Sequence, residues 1–129
     1  MHVLLIEPDI HLADAYRRSV EAAGHSVAHA LTAQSALHAA NTKLPDVVIL
    51  ELQLPGPNGV AFLQEFRSYD DWRTVPVVLH TYVLINSRLD IRTILENQYG
   101  VTAWLYKPQT TLAQLLSTVE NHGNSALQR

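Results

Sequence analysis

Apolar positions in this chain fall into two alternating patterns. Val3-Leu4-Leu5-Ile6 is an unbroken apolar run ending at Glu7-Pro8-Asp9. A run without polar alternation predicts a strand buried on both faces. From about Ile10 to Ala23, the residues Leu12, Ala13, Tyr16, Val20 and Ala23 share one helical face, and Gly24 marks a helix stop. His25 to Ala30 predicts a weaker second strand. Thr32 is placed to cap a second helix whose stripe is Ala33, Ala36, Leu37 and Ala40. Val47 to Leu50 gives the clearest strand, followed by the strongest turn signal, Pro55 to Gly59. A third helix then turns Phe62, Leu63 and Phe66 inward. Val75 to Leu79 predicts a fourth strand, and Ile91, Ile94 and Leu95 mark a fourth helix, with Tyr99 beside them. Ala103 to Tyr106 predicts a fifth strand, and Leu112, Leu115, Leu116 and Val119 the last helical stripe.

Five strands alternating with five helices imply a doubly wound parallel α/β sheet with helices on both faces. Residues 1–121 are expected to form one domain, and the polar stretch 122–129 a tail or the start of a linker. With 47% hydrophobic and 16% charged residues, a 129-residue chain can bury a core without disulfides or a structural metal. The chain has no cysteine, which excludes a disulfide framework and a thiolate metal cluster. No apolar run is long enough to span a bilayer, so no membrane role and a cytoplasmic location are expected. The net charge of −3 argues against direct nucleic-acid binding by this domain.

In a doubly wound sheet the functional crevice lies at the carboxyl ends of the strands. Those ends carry Glu7, Glu51, Thr81 and Lys107, which would bring two carboxylates, a hydroxyl and an ammonium together.

The same residues carry a family likeness. The segments Leu5 to Asp9, Pro45 to Gly59, Pro76 to Thr81 and Trp104 to Pro108, with Ala36-Leu37 on the second helix, stand in the order found in receiver domains. From about Val3 to Val119 the chain resembles the receiver domain of two-component response regulators. That resemblance implies a flavodoxin-like (CheY-like) sheet with strand order 2-1-3-4-5. It also implies a non-enzymatic signalling module. In such receivers an aspartate ending the third strand accepts a phosphoryl group, and an acidic pair after the first strand holds Mg2+. A Thr or Ser and a Lys hold the phosphoryl oxygens, and an aromatic residue on the fifth strand changes rotamer. These places fall here on Glu51, on Glu7 and Pro8, on Thr81 and Lys107, and on Trp104. Family receivers often have a cis peptide at the position of Lys107-Pro108.

Two places depart from the pattern. Glu51 stands where the family has aspartate, and Pro8 replaces the second acid. Magnesium requires oxygen ligands in near-octahedral geometry, and proline's side chain offers none. Glu7 and Glu51 remain as metal-ligand candidates with weak binding expected, and Asp9 lies one residue late in the acidic pocket. The extra methylene of Glu51 displaces its carboxylate by about 1 Å, enough to slow phosphoryl transfer by roughly a hundredfold. Glu51 either pairs inertly with Lys107 or mimics the phosphorylated state.

The leading expectation is a pseudo-receiver that needs no cofactor and acts through protein contacts. It would regulate a partner or an attached output domain, for example a DNA-binding one, through the fourth helix, fifth strand and fifth helix. The run Tyr82-Val83-Leu84-Ile85 borders that face. One receiver subgroup dimerises there through ion pairs, but its acidic pair falls on Thr102 and Ala103, and Thr111 to Glu120 has no Arg or Lys. A homodimer is therefore expected to use Leu112, Leu116 or Ile91. One alternative is a working phosphoreceiver with a Glu acceptor and a weak magnesium site. Another is a flavodoxin-like nucleotide or small-molecule domain, which lacks the glycine-rich phosphate loop. His25 and His29 lack a third ligand for zinc, and His80 is expected beside the pocket as a strand residue.

Overall fold

The computed structural model describes residues 1–84 and 89–127. Five parallel strands are β1 (His2–Ile6), β2 (Ser26–Ala30), β3 (Val47–Leu50), β4 (Val77–Thr81) and β5 (Val101–Tyr106). They order as β2-β1-β3-β4-β5. The helices are α1 (Ile10–Ala22), α2 (Ala33–Thr42), α3 (Gly59–Phe66), α4 (Leu89–Asn97) and α5 (Leu112–Leu127), with short 3-10 turns at Asp70–Trp72 and Lys107–Gln109.

The strands are continuously apolar because each feeds two cores. Leu4, Ile6, Val48, Leu50, Val77 and Leu79 pack on the α2, α3 and α4 side. Val3, Leu5, Val47, Ile49 and Val78 pack with Ala13, Tyr16, Val20, Leu115 and Val119 of α1 and α5. The period of two along each strand distributes these side chains between the layers.

Capping residues set the helix starts. Asp9 accepts from His11 N and Leu12 N at the head of α1, Thr32 and Ser35 form a capping box on α2, and Asn58 caps α3. Gly24 follows α1 at φ +94°, a conformation that favours glycine.

Several boundaries and faces differ from expectation. Ala23 is the exposed C-cap of α1 and leaves the apolar stripe. His25 precedes β2 and does not belong to it. β4 begins at Val77, two residues late, because Pro76 has no N–H to give the ladder; its carbonyl accepts from Val48 N. β5 begins earlier, at Val101. Ile94 and Leu112 are 43% and 45% exposed, since the large apolar side chains that α4 and α5 fully bury, among the described residues, are Leu95, Leu115 and Val119. α5 runs past residue 121 to Leu127, and buried Gly123 lies against Met1 and Val47, so residues 122–127 of the expected tail or linker start are helical.

Gly59 opens α3 beneath the end of β3. A Cβ there would sit 2.8 Å from Leu52 Cα and 3.1 Å from the Glu51 carbonyl oxygen. Backbone would have to move, so Gly59→Ala should destabilise the fold by about 1–3 kcal/mol. An unchanged urea midpoint would contradict this contact. Asp9→Ala should cost about 1 kcal/mol through the lost cap, read by thermal unfolding.

Candidate functional site

Register assembles the site. Ile6 pairs with Leu50 and Leu50 with Leu79, so Glu7 and Glu51 emerge side by side where β1 and β3 end. Glu51 N donates to the Ile6 carbonyl at 3.1 Å. Thr81 ends β4, opposite Tyr106 of β5, and Lys107 follows directly. Strand order reverses direction about β1, which puts this cluster at the switch point of the sheet.

All four side chains are buried: Glu7, Glu51 and Thr81 are each 2% exposed and Lys107 is 7% exposed. Charges buried this deeply require partners. Lys107 Nζ lies 2.5 Å from Glu7 Oε1 and 2.8 Å from Glu51 Oε2. Glu51 accepts three further hydrogen bonds. The Thr81 hydroxyl and Gln53 N, at 2.9 Å, donate to Oε1, and Tyr82 N donates to Oε2 at 3.1 Å. Glu7 Oε2 accepts from Asp9 N at 3.0 Å. The Tyr82 ring covers the ammonium, with Nζ 4.7 Å from its centroid.

These contacts govern ionisation. Burial pushes the Glu51 carboxyl up, but the Gln53 amide, the Lys107 ammonium and the Thr81 hydroxyl outweigh it and hold the group below its ordinary value. His80 is pushed down to about 4 by burial and by Lys107, against a smaller opposing pull from Glu51. Burial, then Glu7, Tyr82, Asp9 and Glu51, push Tyr16 up to about 12. The two rings meet edge to face at 4.9 Å and are both neutral at pH 7. His80 is thus a buried strand residue packed beside the cluster.

Asp9 does not join the pocket. Its carboxylate is spent on the α1 cap, and only its backbone N–H reaches Glu7. Pro8 is half-buried and brings no donor atom. Trp104 lies on β5, half-buried, with the Arg92 guanidinium 5.3 Å from the centroid of its indole. It lines a recess of about 180 Å³ shared with Thr81, Leu84 and Tyr106. No peptide bond among the described residues is cis, so Lys107-Pro108 is trans, with the proline early in the 3-10 turn. His25 bonds Glu120 Oε2 at 2.8 Å, and His29 Nε2 bonds the Glu7 carbonyl at 2.8 Å, so the two rings serve different partners. Tyr82 and Leu84 are 51% and 54% exposed, whereas Val83 packs on the core. Ile85 lies outside the described residues.

Sequence reasoning missed the Tyr82 cover and the two amides on Glu51. Their only signal was position: each is next to, or two residues beyond, a strand-end polar residue. Among the described residues, no three His, Cys, Asp or Glu side chains are grouped to hold a metal. Among the described residues no helix is long and apolar enough to cross a membrane.

Comparison with known proteins agrees with this geometry. The family model of the response regulator receiver domain matches residues 3–120. KdpE, the KDP operon transcriptional regulatory protein of Escherichia coli, is 35% identical over 78 residues, which cover 60% of this chain and 33% of KdpE. CseB, a transcriptional regulatory protein of Streptomyces avermitilis, is 30% identical over 108 residues, 83% of this chain and 43% of CseB. The chain thus spans less than half the length of these curated relatives. The chemotaxis protein CheY4 of Vibrio cholerae superposes with a TM-score of 0.82 at 23% identity, over 94% of this chain and 97% of that one, and shares the fold. On the sheet order, the strand-end cluster and the matched span, this chain belongs to the response regulator receiver domain family of two-component signalling.

Proposed function

We propose that this receiver domain signals without accepting a phosphoryl group and regulates a protein partner or an attached output domain by contact. The observation that carries the reading is the complete engagement of Glu51. The resemblance assigns Thr81 and Lys107 to phosphoryl oxygens, and here both donate to the Glu51 carboxylate. A carboxylate held by four donors is a poor nucleophile, and its longer side chain displaces it from the in-line position.

Magnesium does not suit the residues present. Six oxygen ligands are needed, while both carboxylates already share one ammonium and Pro8 supplies none. The Lys107 ammonium already supplies positive charge to both carboxylates. The Thr81 to Glu51 hydrogen bond favours the mimic reading over an inert one, because it draws the switch hydroxyl to position 51. The exposed side chains of Tyr82, Leu84, Ile94 and Leu112 support contact through α4, β5 and α5. Trp104 and Arg92, stacked as one unit, border the same face.

Incubation with acetyl phosphate and magnesium should leave the intact mass unchanged. Glu51→Asp alone should behave the same way, and Glu51→Asp with Pro8→Asp should gain an adduct. Stoichiometric phosphorylation of the unsubstituted protein would refute the reading.

Acid should release the cluster. Glu51 titrates below its ordinary 4.5 in the folded protein, so the unfolded chain binds the proton first. Its contribution is therefore full above about pH 4.5 and is lost as pH falls through the depressed folded value. Glu51→Gln should be less stable than the parent at neutral pH, and the gap should narrow below about pH 4.5. Urea midpoints measured across the acid range test this, and parallel curves would disprove it.

A further inference from the structure

On the face opposite α1 and α5, helix α2 turns Ala33, Ala36 and Ala40 inward, all buried. Short side chains at the helix–helix seam leave space between α2 and α3. Two concavities occupy it, of about 520 Å³ and 420 Å³, and they share Leu37 and Glu65. They adjoin at these two residues, and their lining mixes apolar side chains, among them Leu37, Leu44 and the edge of the largely buried Trp72, with polar ones. At the wider end of this groove Leu44 and Tyr69 are 56% and 50% exposed, and the Tyr69 ring meets Trp72 edge to face at 4.9 Å. The groove is well shaped: Arg67 donates to the Trp72 carbonyl at 2.6 Å and to the Tyr99 carbonyl at 2.8 Å, fixing the turn that carries Trp72.

The charges along the groove have one sign. Glu65 and Asp71 are exposed at it, and neither carboxylate has an ion pair or hydrogen bond among the described residues. Among the described residues no Lys or Arg lines either concavity, and His38 is the single basic side chain there. Neighbouring Asp70, by contrast, is paired with Arg73.

We propose that this groove docks a basic, apolar peptide segment of a partner protein. Leu or aromatic side chains of that segment would rest on Leu37, Leu44 and Trp72, and Arg or Lys would meet Glu65 and Asp71. An amphipathic segment fits an elongated groove of this kind. An Arg guanidinium would also find the open face of Tyr69. Two unpaired carboxylates beside these apolar side chains select against acidic peptides as well as attracting basic ones. This surface is separate from the strand-end pocket and does not depend on how position 51 behaves.

A random dodecapeptide phage library selected on the immobilised full chain tests the proposal. Enriched peptides should combine apolar residues with Arg or Lys. Their amide shift perturbations should fall on α2, α3 and Tyr69. Affinity should drop about tenfold or more in Glu65→Lys with Asp71→Lys, and by less in Glu65→Gln with Asp71→Asn, whose folding the exposed positions should not disturb. Enriched peptides without basic residues would overturn the proposal. So would equal binding to the charge-reversed protein, perturbations confined to another face, or concentration-dependent self-association that buries the groove.

Discussion

One buried ammonium between two buried carboxylates is the constraint that organises the carboxyl edge of this sheet. Removing charges from water costs several kcal/mol per ion, and mutual attraction repays that only with good geometry and further hydrogen bonds. Here three separate strand ends deliver the three charges. β1 supplies Glu7, β3 supplies Glu51, and Lys107 comes from the turn after β5. One cation faces two anions, so the excess negative charge falls to neutral donors. Gln53 N, Tyr82 N and the Thr81 hydroxyl gather on Glu51, and Asp9 N on Glu7. A slip of one residue in the β1–β3 register would turn Glu7 or Glu51 to the other face and strand the remaining charges.

The sequence made much of this visible, for identifiable reasons. Strands buried on both faces read as unbroken apolar runs, so Val47 to Leu50 was clear, and the polar residue ending each run located the cluster. The polar arrangement within the cluster was less legible. Glu7 sharing Lys107 with Glu51 depends on side-chain reach across two strands, and Tyr82 covering the ammonium depends on a loop direction that no periodicity encodes. Asp9 shows how two local signals compete. Its position after β1 suggested the pocket, but an aspartate directly before a helix is also a cap, and the cap took the side chain. Ile94 and Leu112 matched a helical stripe yet lie exposed, because helices at one side of a sheet bury a narrower arc than the stripe spans.

On the proposed reading, the chemistry of position 51 changes what regulation can mean for this domain. A phosphoryl group adds charge at a chosen moment, and that charge biases a bistable element. The Glu51 carboxylate is charged throughout the neutral range, so no covalent event separates one state from another. A ligand shifts an equilibrium only by its differential affinity for the two states. Control would then rest with the partner: its abundance, its own modification, or its choice among surfaces. A fixed pocket makes the domain a constant platform, and a platform can offer more than one face. The α4–β5–α5 face is apolar and open at Tyr82, Leu84 and Leu112, while the α2–α3 groove mixes apolar side chains with the acids Glu65 and Asp71. Surfaces of such different charge would recognise different partners, and a receiver relieved of phosphotransfer can hold both at once without needing to move between states.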